Sequence, residues 1–136
     1  MITVFTPCYN RAHTLDRLFE SLQAQTFRDF EWVVVDDGST DGTHELCDYF
    51  IEQASFPMRY VWQKNAGKHV AINAGAAEAR GKWFFIVDSD DWLPNDSLET
   101  NARYISQVEG DAAFAGVSGV CARRRLVPCR RWHFRA

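Results

Sequence analysis

The chain has 136 residues, of which 46% are hydrophobic and 14% aromatic, and its formal net charge is −3. This length predicts one domain with a substantial core, and the aromatic content excludes a disordered or low-complexity chain. The small negative charge argues against nucleic-acid binding through a basic surface. No apolar run is long enough for a transmembrane helix, and the first residues do not resemble a signal peptide. Four cysteines without a Cys-x-x-Cys pair predict free thiols in a reducing, cytoplasmic compartment.

Short apolar segments that predict strands alternate along the chain with segments that carry apolar residues at a helical period. In chain order they are a strand at 2–5, a helix over 15–22 with Thr14 as its N-cap, a strand at 32–35, a helix over 43–50, a strand at 58–62, a helix over 69–80, a strand at 83–87, a helix over 97–108 and a strand at 112–117. Apolar strands that alternate with helices are typical of an α/β fold. The sequence therefore predicts a mostly parallel sheet with helices on both faces.

Polar residues follow three of these strands directly. They are Thr6 to Arg11 after the first strand, Asp36 and Asp37 after the second, and Asp88, Asp90 and Asp91 after the fourth. Ligands of such sheets bind at the carboxyl ends of the strands, near the point where the strand order reverses. We therefore expect these residues to meet at one edge of the sheet.

The acidic group after the fourth strand is a candidate cation site. Carboxylates this close repel one another, which favours a hard divalent ion such as Mg²⁺ or Mn²⁺. Side chains two residues apart on an extended segment point the same way, so Asp88 and Asp90 can share one metal–phosphate unit. A solvated loop that caps the helix near Ser97 is the alternative interpretation.

The other two groups suit a nucleotide. An aromatic ring such as Tyr9 can stack on a base, Arg11 can pair with phosphate, and Asp37 can accept a hydrogen bond from a base or a ribose. Ordinary turn and surface-loop chemistry explains the same residues equally well. No P-loop and no G-x-G-x-x-G segment is present, which excludes those two nucleotide-binding motifs.

Four segments taken together resemble family 2 glycosyltransferases with the GT-A fold. They are TPCYNR, QAQTFRDFEWVVVDDGSTDGT, NAGKHVAINAG and ARGKWFFIVDSDDWLPNDSL, and they cover about residues 2–117 in the family's order. The resemblance implies the nucleotide-binding half of a Rossmann-like GT-A domain, truncated here. It also implies these site residues: Pro7 and Tyr9 at the nucleobase, Arg11 near the donor, Asp37 on uracil N3, Lys68 along the base and diphosphate, Asp88 toward the ribose and with Asp90 in the metal-binding DxD pair, and Asp91 in support of the loop.

The same resemblance implies an inverting, metal-assisted transfer of a sugar from a nucleotide-sugar donor, a UDP-sugar, to an acceptor hydroxyl. The cofactor would be Mn²⁺ or Mg²⁺, and the acceptor a saccharide, a lipid-linked molecule or a protein, in cell-envelope polysaccharide biosynthesis at the inner face of the membrane. Glu99, Glu109 and Asp111 do not match the family's catalytic base, so the sequence assigns none. A non-catalytic nucleotide-binding module is the main alternative, and a nucleotidyltransferase is a third.

The end of the chain differs in composition from the rest. Residues 121–136 contain six Arg and no acidic residue, whereas residues 1–120 contain nine basic and 18 acidic side chains, a net charge of −9. The sequence therefore predicts a nucleotide-sugar-binding domain over 1–119 and an irregular basic tail over 120–136. An out-of-frame segment, a basic arm that contacts anionic lipid or nucleic acid, and a solvated terminus are the three interpretations of that tail.

Overall fold

The structure is a computed structural model that describes residues 1–107 and 126–128. Its strands are β1 (Ile2–Cys8), β2 (Phe30–Asp36), β3 (Met58–Trp62), β4 (Trp83–Ile86) and β5 (Leu126–Pro128), and its helices are α1 (Ala12–Gln23), α2 (Thr43–Gln53), α3 (Lys68–Glu78) and α4 (Ser97–Gln107). The predicted alternation of strands and helices is confirmed as far as α4. The strand predicted at 112–117 and the domain boundary predicted after residue 119 lie outside the described residues.

The strands form one sheet in the order β3-β2-β1-β4-β5. The first four are parallel, and β5 pairs antiparallel with β4. The sequence predicts no regular structure over 120–136, and β5 lies within that segment. Because the chain moves outward from β1 to β3 and then returns to the other side of β1, the strand order reverses between β1 and β4, where a ligand is expected.

Both faces of the sheet are covered, as predicted. On one face, Trp32 and Phe50 pack with the apolar side of α1 and with Leu98 of α4. On the other face, Phe5 and Phe84 pack with α3. Successive side chains of a strand point to opposite faces, so a strand buried on both faces must be apolar throughout, as Trp32 to Val35 is.

The start of α1 differs from the prediction. The helix begins at Ala12 with Arg11 at the N-cap position, and the Arg11 side chain makes no capping hydrogen bond. Thr14, the predicted cap, lies inside the first turn and donates its hydroxyl to the Arg11 carbonyl oxygen at 3.2 Å. The Ala12 N–H instead donates to Asp41 Oδ2 at 3.2 Å. The prediction of Thr14 as the cap is therefore wrong, because a carboxylate from a neighbouring loop satisfies this helix terminus.

No helix within residues 1–107 is both long enough and apolar enough to cross a membrane.

Candidate functional site

A cavity of about 340 Å³ lies at the carboxyl ends of β1, β2 and β4, beside the first turn of α3. Every substrate or metal contact proposed from the sequence is among its lining residues, which are Pro7, Cys8, Tyr9, Arg11, Asp37, Lys68, Ala71, Asp88, Ser89 and Asp90. The fold thus brings these residues together at the reversal of strand order. Their individual roles stay predictions.

The turn after β1 forms one wall of the cavity. Pro7 lies near the end of β1, and Tyr9, which is 48% exposed, extends past the sheet. Arg11 occupies the N-cap position of α1. Asn10 between them has a φ of 52°, and it is the one residue other than glycine with a positive φ in the described part of the chain. The turn therefore presents an aromatic ring and a guanidinium to the same cavity.

Asp37 is a buried carboxylate, only 6% exposed, that nevertheless lines the cavity. Its Oδ1 accepts hydrogen bonds from Gln63 Nε2 at 2.7 Å and from Ala66 N–H at 2.8 Å, and its Oδ2 accepts one from Gly67 N–H at 2.8 Å. Burial by itself would raise the pKa of Asp37, but these hydrogen bonds outweigh it and hold the pKa below its usual value. Asp37 is therefore an ionised group that can only accept hydrogen bonds.

Asp36, its neighbour in sequence, has a different environment. It is buried at the end of β2, where its Oδ2 accepts a hydrogen bond from the Tyr60 hydroxyl at 2.6 Å and its Oδ1 accepts one from Ser39 N–H at 2.8 Å. Burial, together with this bond to Asp36, raises the pKa of Tyr60 far above its usual value. Asp36 does not line the cavity, and its hydrogen bonds support the loop that follows.

Lys68 is the first residue of α3, at the point where the chain arrives from β3. The preceding Gly67 has a φ of 97°, a backbone conformation that favours glycine. Lys68 Nζ lies 2.6 Å from Asp88 Oδ1. The first turn of α3 contains no acidic residue, so this end of the cavity combines a lysine with the positive end of a helix.

Asp88, Ser89 and Asp90 follow β4 and also line the cavity. Ser89 is buried, whereas Asp90 is exposed. Within the described residues, no group of three or more His, Cys, Asp or Glu side chains is placed to hold a metal ion. Mg²⁺ typically takes one or two carboxylates and completes its ligands with substrate phosphate and water. The two carboxylates on the cavity wall fit a cation of that kind.

Sequence reasoning did not assign Cys8, Ala71 and Ser89, although all three belong to the segments that carry the resemblance. Cys8 and Cys47 are free thiols, and both are buried. Burial, with a contribution from the charge of Asp36, raises the pKa of Cys8 well above its usual value. The Cys8 thiol therefore stays protonated, so Cys8 lines the cavity without the reactivity of a nucleophilic thiolate.

The chain matches the model of the family described as Glycosyl transferase family 2 over residues 3–129. It is 39% identical over 112 residues to glycosyltransferase GlyA and 36% identical over 112 residues to glycosyltransferase GlyG, both from Streptococcus pneumoniae serotype 4. These alignments cover 82% of this chain, but only 16% of GlyA and 37% of GlyG. The chain thus spans well under half the length of these relatives.

Solved structures of glycosyltransferases share this fold. One is S. aureus TarS 1-349 in complex with UDP-GlcNAc, with a TM-score of 0.74 and 30% identity, covering 90% of this chain and 36% of that one. Another is the mannosyltransferase PcManGT from Pyrobaculum calidifontis in complex with GDP-Man and Mn²⁺, with a TM-score of 0.73 and 29% identity, covering 83% of this chain and 33% of that one.

Proposed function

This chain belongs to glycosyl transferase family 2, and from that premise we propose that its cavity binds a UDP-sugar as the donor of an inverting sugar transfer. The observation that carries the proposal is the composition of the cavity wall. The wall combines an aromatic ring, an acceptor-only carboxylate, two cationic side chains and two further carboxylates. This set suits a nucleobase together with a diphosphate and its cation, and we assign the base to Tyr9 and Asp37 and the diphosphate to the remaining charged groups.

At the base end, Asp37 selects for a donor N–H. Uracil carries an N–H at N3 and guanine carries one at N1, whereas cytosine and adenine present a bare ring nitrogen on the corresponding edge. The choice of uracil over guanine rests on the resemblance to the family. A buried carboxylate facing a bare nitrogen would lose a hydrogen bond and gain repulsion, which costs affinity. Tyr9 can stack on the face of the same base, and Pro7 closes the pocket beside it.

At the diphosphate end, Lys68 and Arg11 supply positive charge, and Asp88 and Asp90 would hold Mn²⁺ or Mg²⁺, with Asp88 also toward the ribose. When bound, the metal neutralises negative charge that develops on the departing diphosphate. The bond from sugar C1 to the diphosphate breaks as the acceptor oxygen forms its bond to C1 from the opposite face. The acceptor proton then requires a carboxylate base.

No residue of the described cavity is assigned as that base. Glu99 accepts a hydrogen bond from Thr26 Oγ1 at 2.8 Å and does not line the cavity. Glu109 and Asp111 lie outside the described residues. This observation, with the small share of the relatives that the chain spans, favours a second candidate function, a donor-binding module that does not turn over by itself.

We extend the proposal to an acceptor hydroxyl on a saccharide, a lipid-linked molecule or a protein, used in cell-envelope polysaccharide synthesis in the cytoplasm, at the inner face of the membrane. This part depends on the resemblance alone. The acceptor class can be tested by supplying each kind of acceptor with a radiolabelled UDP-sugar and recovering the labelled product.

The donor site is tested by calorimetric titration of the 136-residue chain with UDP, GDP and CDP, each with and without Mn²⁺. We expect UDP to bind most tightly, to need Mn²⁺ for full affinity, and to lose that dependence in Asp90→Asn. Asp96→Asn is the matched control, because Asp96 is an exposed acid of the same segment between β4 and α4 that does not line the cavity. Tighter binding of GDP would contradict the choice of uracil, and failure of all three nucleotides to bind would contradict the donor site.

Release of UDP from a panel of UDP-sugars separates the two candidate functions. Turnover by this chain alone would exclude the binding module, whereas binding without turnover would support it.

A further inference from the structure

Two turns at the rim of the cavity lie side by side and are joined by hydrogen bonds. The first turn follows β1 and contains Asn10. The second turn follows β2, begins with Asp37 and leads into α2. The left-handed backbone of Asn10, at a φ of 52°, is one that asparagine adopts more readily than most residues. It turns both the backbone N–H and the side chain of Asn10 toward the second turn.

Asn10 makes the central contacts between the turns. Its N–H donates to Ser39 Oγ at 2.8 Å, and its Oδ1 accepts from Thr40 N–H at 2.9 Å. Two further hydrogen bonds continue the row, from Arg11 N–H to Thr43 Oγ1 at 3.3 Å and from Ala12 N–H to Asp41 Oδ2 at 3.2 Å. We call these four hydrogen bonds the clasp.

The clasp is anchored in the core on the side of β2. Ser39 N–H donates to Oδ1 of the buried Asp36 at 2.8 Å, and Asp36 in turn accepts the Tyr60 hydroxyl at 2.6 Å. Ser39 thus has a fixed position from which its hydroxyl receives Asn10. A hydrogen bond to an anchored partner restricts a turn more than one to a mobile partner, because less conformational freedom is left to the pair.

Neither Asn10 nor Ser39 lines the cavity, but the residues on both sides of Asn10 do, and so does Asp37 at the start of the second turn. We infer that Asn10 and Ser39 are positioning residues: through the clasp they hold Tyr9 and Arg11 at a fixed separation from Asp37, so that ring, guanidinium and carboxylate engage one nucleotide together. This inference rests on the proposed function. A role confined to the start of α1 would instead affect stability without affecting nucleotide affinity.

The test uses Ser39→Ala, which removes the acceptor of the Asn10 N–H, and Ser39→Thr, which keeps a hydroxyl. The matched control is Ser55→Ala, which makes the same chemical change between α2 and β3, at the amino end of β3 and away from the cavity. There the Ser55 hydroxyl donates to Gln23 Oε1 at 2.5 Å and likewise joins two separate segments. The affinity for UDP in the presence of Mn²⁺ is measured by calorimetry at a temperature where every variant is fully folded by circular dichroism.

We expect Ser39→Ala to raise the Kd for UDP roughly three- to tenfold, Ser39→Thr to bind within about twofold of the wild type, and Ser55→Ala to bind as the wild type does. Amide hydrogen exchange without nucleotide should speed up at both Asn10 and Thr40 in Ser39→Ala and at neither in Ser55→Ala. Unchanged UDP affinity in Ser39→Ala, or a Thr40 amide that stays protected, would overturn the inference.

The two readouts also distinguish the inference from the proposed function. If the wild-type chain does not bind UDP, the proposed function fails and with it the role in nucleotide binding. The exchange experiment needs no nucleotide, and a Thr40 amide that opens with Asn10 would still establish that the clasp holds the two turns as one unit.

Discussion

Lys68 Nζ lies 2.6 Å from Asp88 Oδ1, so a residue of the predicted diphosphate site forms an ion pair with a residue of the predicted metal site. The side chains are 59% and 45% exposed, and exposed ion pairs contribute little to folding stability. The consequence of this pair is local instead: without nucleotide, Lys68 already neutralises the carboxylate that a cation would use. A bound diphosphate would attract Lys68 and leave Asp88 available to a cation.

Lys68→Met is therefore expected to have opposite effects on the two ligands. Mn²⁺ affinity without nucleotide should rise roughly two- to fivefold, because a competing positive charge is removed, while UDP affinity should fall. Free Mn²⁺ measured by electron paramagnetic resonance during a titration reports the first effect, and calorimetry reports the second. Lys82→Met is the control, because the exposed Lys82 directly precedes β4 and so lies at the amino end of that strand, away from the cavity. Equal Mn²⁺ affinity in Lys68→Met and the wild type would contradict the competition.

Asp37→Ala should weaken UDP binding and also destabilise the fold. The Asp37 carboxylate accepts hydrogen bonds from the Ala66 and Gly67 N–H groups and from Gln63, so it holds the segment between β3 and α3. Loss of these bonds leaves partly buried donors unpaired, at a cost of about 2 kcal/mol or more in the free energy of unfolding. Urea denaturation measures this cost. Asp16→Ala, which removes an exposed carboxylate on α1, should leave both stability and UDP affinity unchanged.

Much of this site could be predicted from the sequence because its residues follow strands. An apolar run such as Trp32 to Val35 identifies a strand by itself, and parallel strands end at the same edge, so sequence order alone places Asp37 and Asp88 together. Asp90 follows the same strand as Asp88, and the resemblance to the family assigned Lys68 to the same place. The prediction that these residues share one cavity needed no knowledge of side-chain contacts.

The contacts between loops could not be predicted in this way. Gln63 carries no local signal that it would donate to Asp37, 26 residues away. The choice of Thr14 as a cap failed for the same reason, because the group that accepts the Ala12 N–H is Asp41, in the loop between β2 and α2. Hydrogen bonds between distant segments depend on how the turns pack against one another, and the periodicity of apolar residues does not predict the packing of turns.

The acid stability of the chain is expected to depend on Glu31, which is buried on β2. Burial would raise the pKa of Glu31, but hydrogen bonds from Thr3 Oγ1 at 2.6 Å and Arg80 N–H at 2.6 Å, with the charge of Arg59, lower it below its usual value of 4.5. A carboxyl group with a lowered pKa in the folded state stabilises the fold above its unfolded pKa, and this contribution is lost as the pH falls through the folded pKa.

Glu31→Gln should therefore be less stable than the wild type at pH 7 and should lose less stability between about pH 5 and pH 3. Urea unfolding at a series of pH values measures both quantities. The acid dependence should decrease without disappearing, because the pKa values of Asp37 and Asp41 are also lowered by hydrogen bonds that outweigh burial. Glu45→Gln, on the exposed side of α2, is the control. A Glu31→Gln variant with the same pH slope as the wild type would show that the pKa of Glu31 is the same in the folded and unfolded states.

Gly75→Ala tests how closely α3 packs on the sheet beneath the cavity. A Cβ at position 75 would lie 2.1 Å from the ring of Phe5, which is fully buried and closely surrounded. Alanine favours a helix over glycine by about 1 kcal/mol, but overpacking of a core typically costs about 1–3 kcal/mol, and here the added Cβ would meet a fully buried aromatic ring. We therefore expect a net loss of stability in urea denaturation, together with weaker UDP binding, because a displaced α3 moves Lys68. Gly42→Ala adds a Cβ with nothing within 4 Å and should change stability by at most about 1 kcal/mol. If Gly75→Ala were as stable as the wild type, α3 would have room to shift, and Lys68 would not be rigidly placed by the packing of this helix.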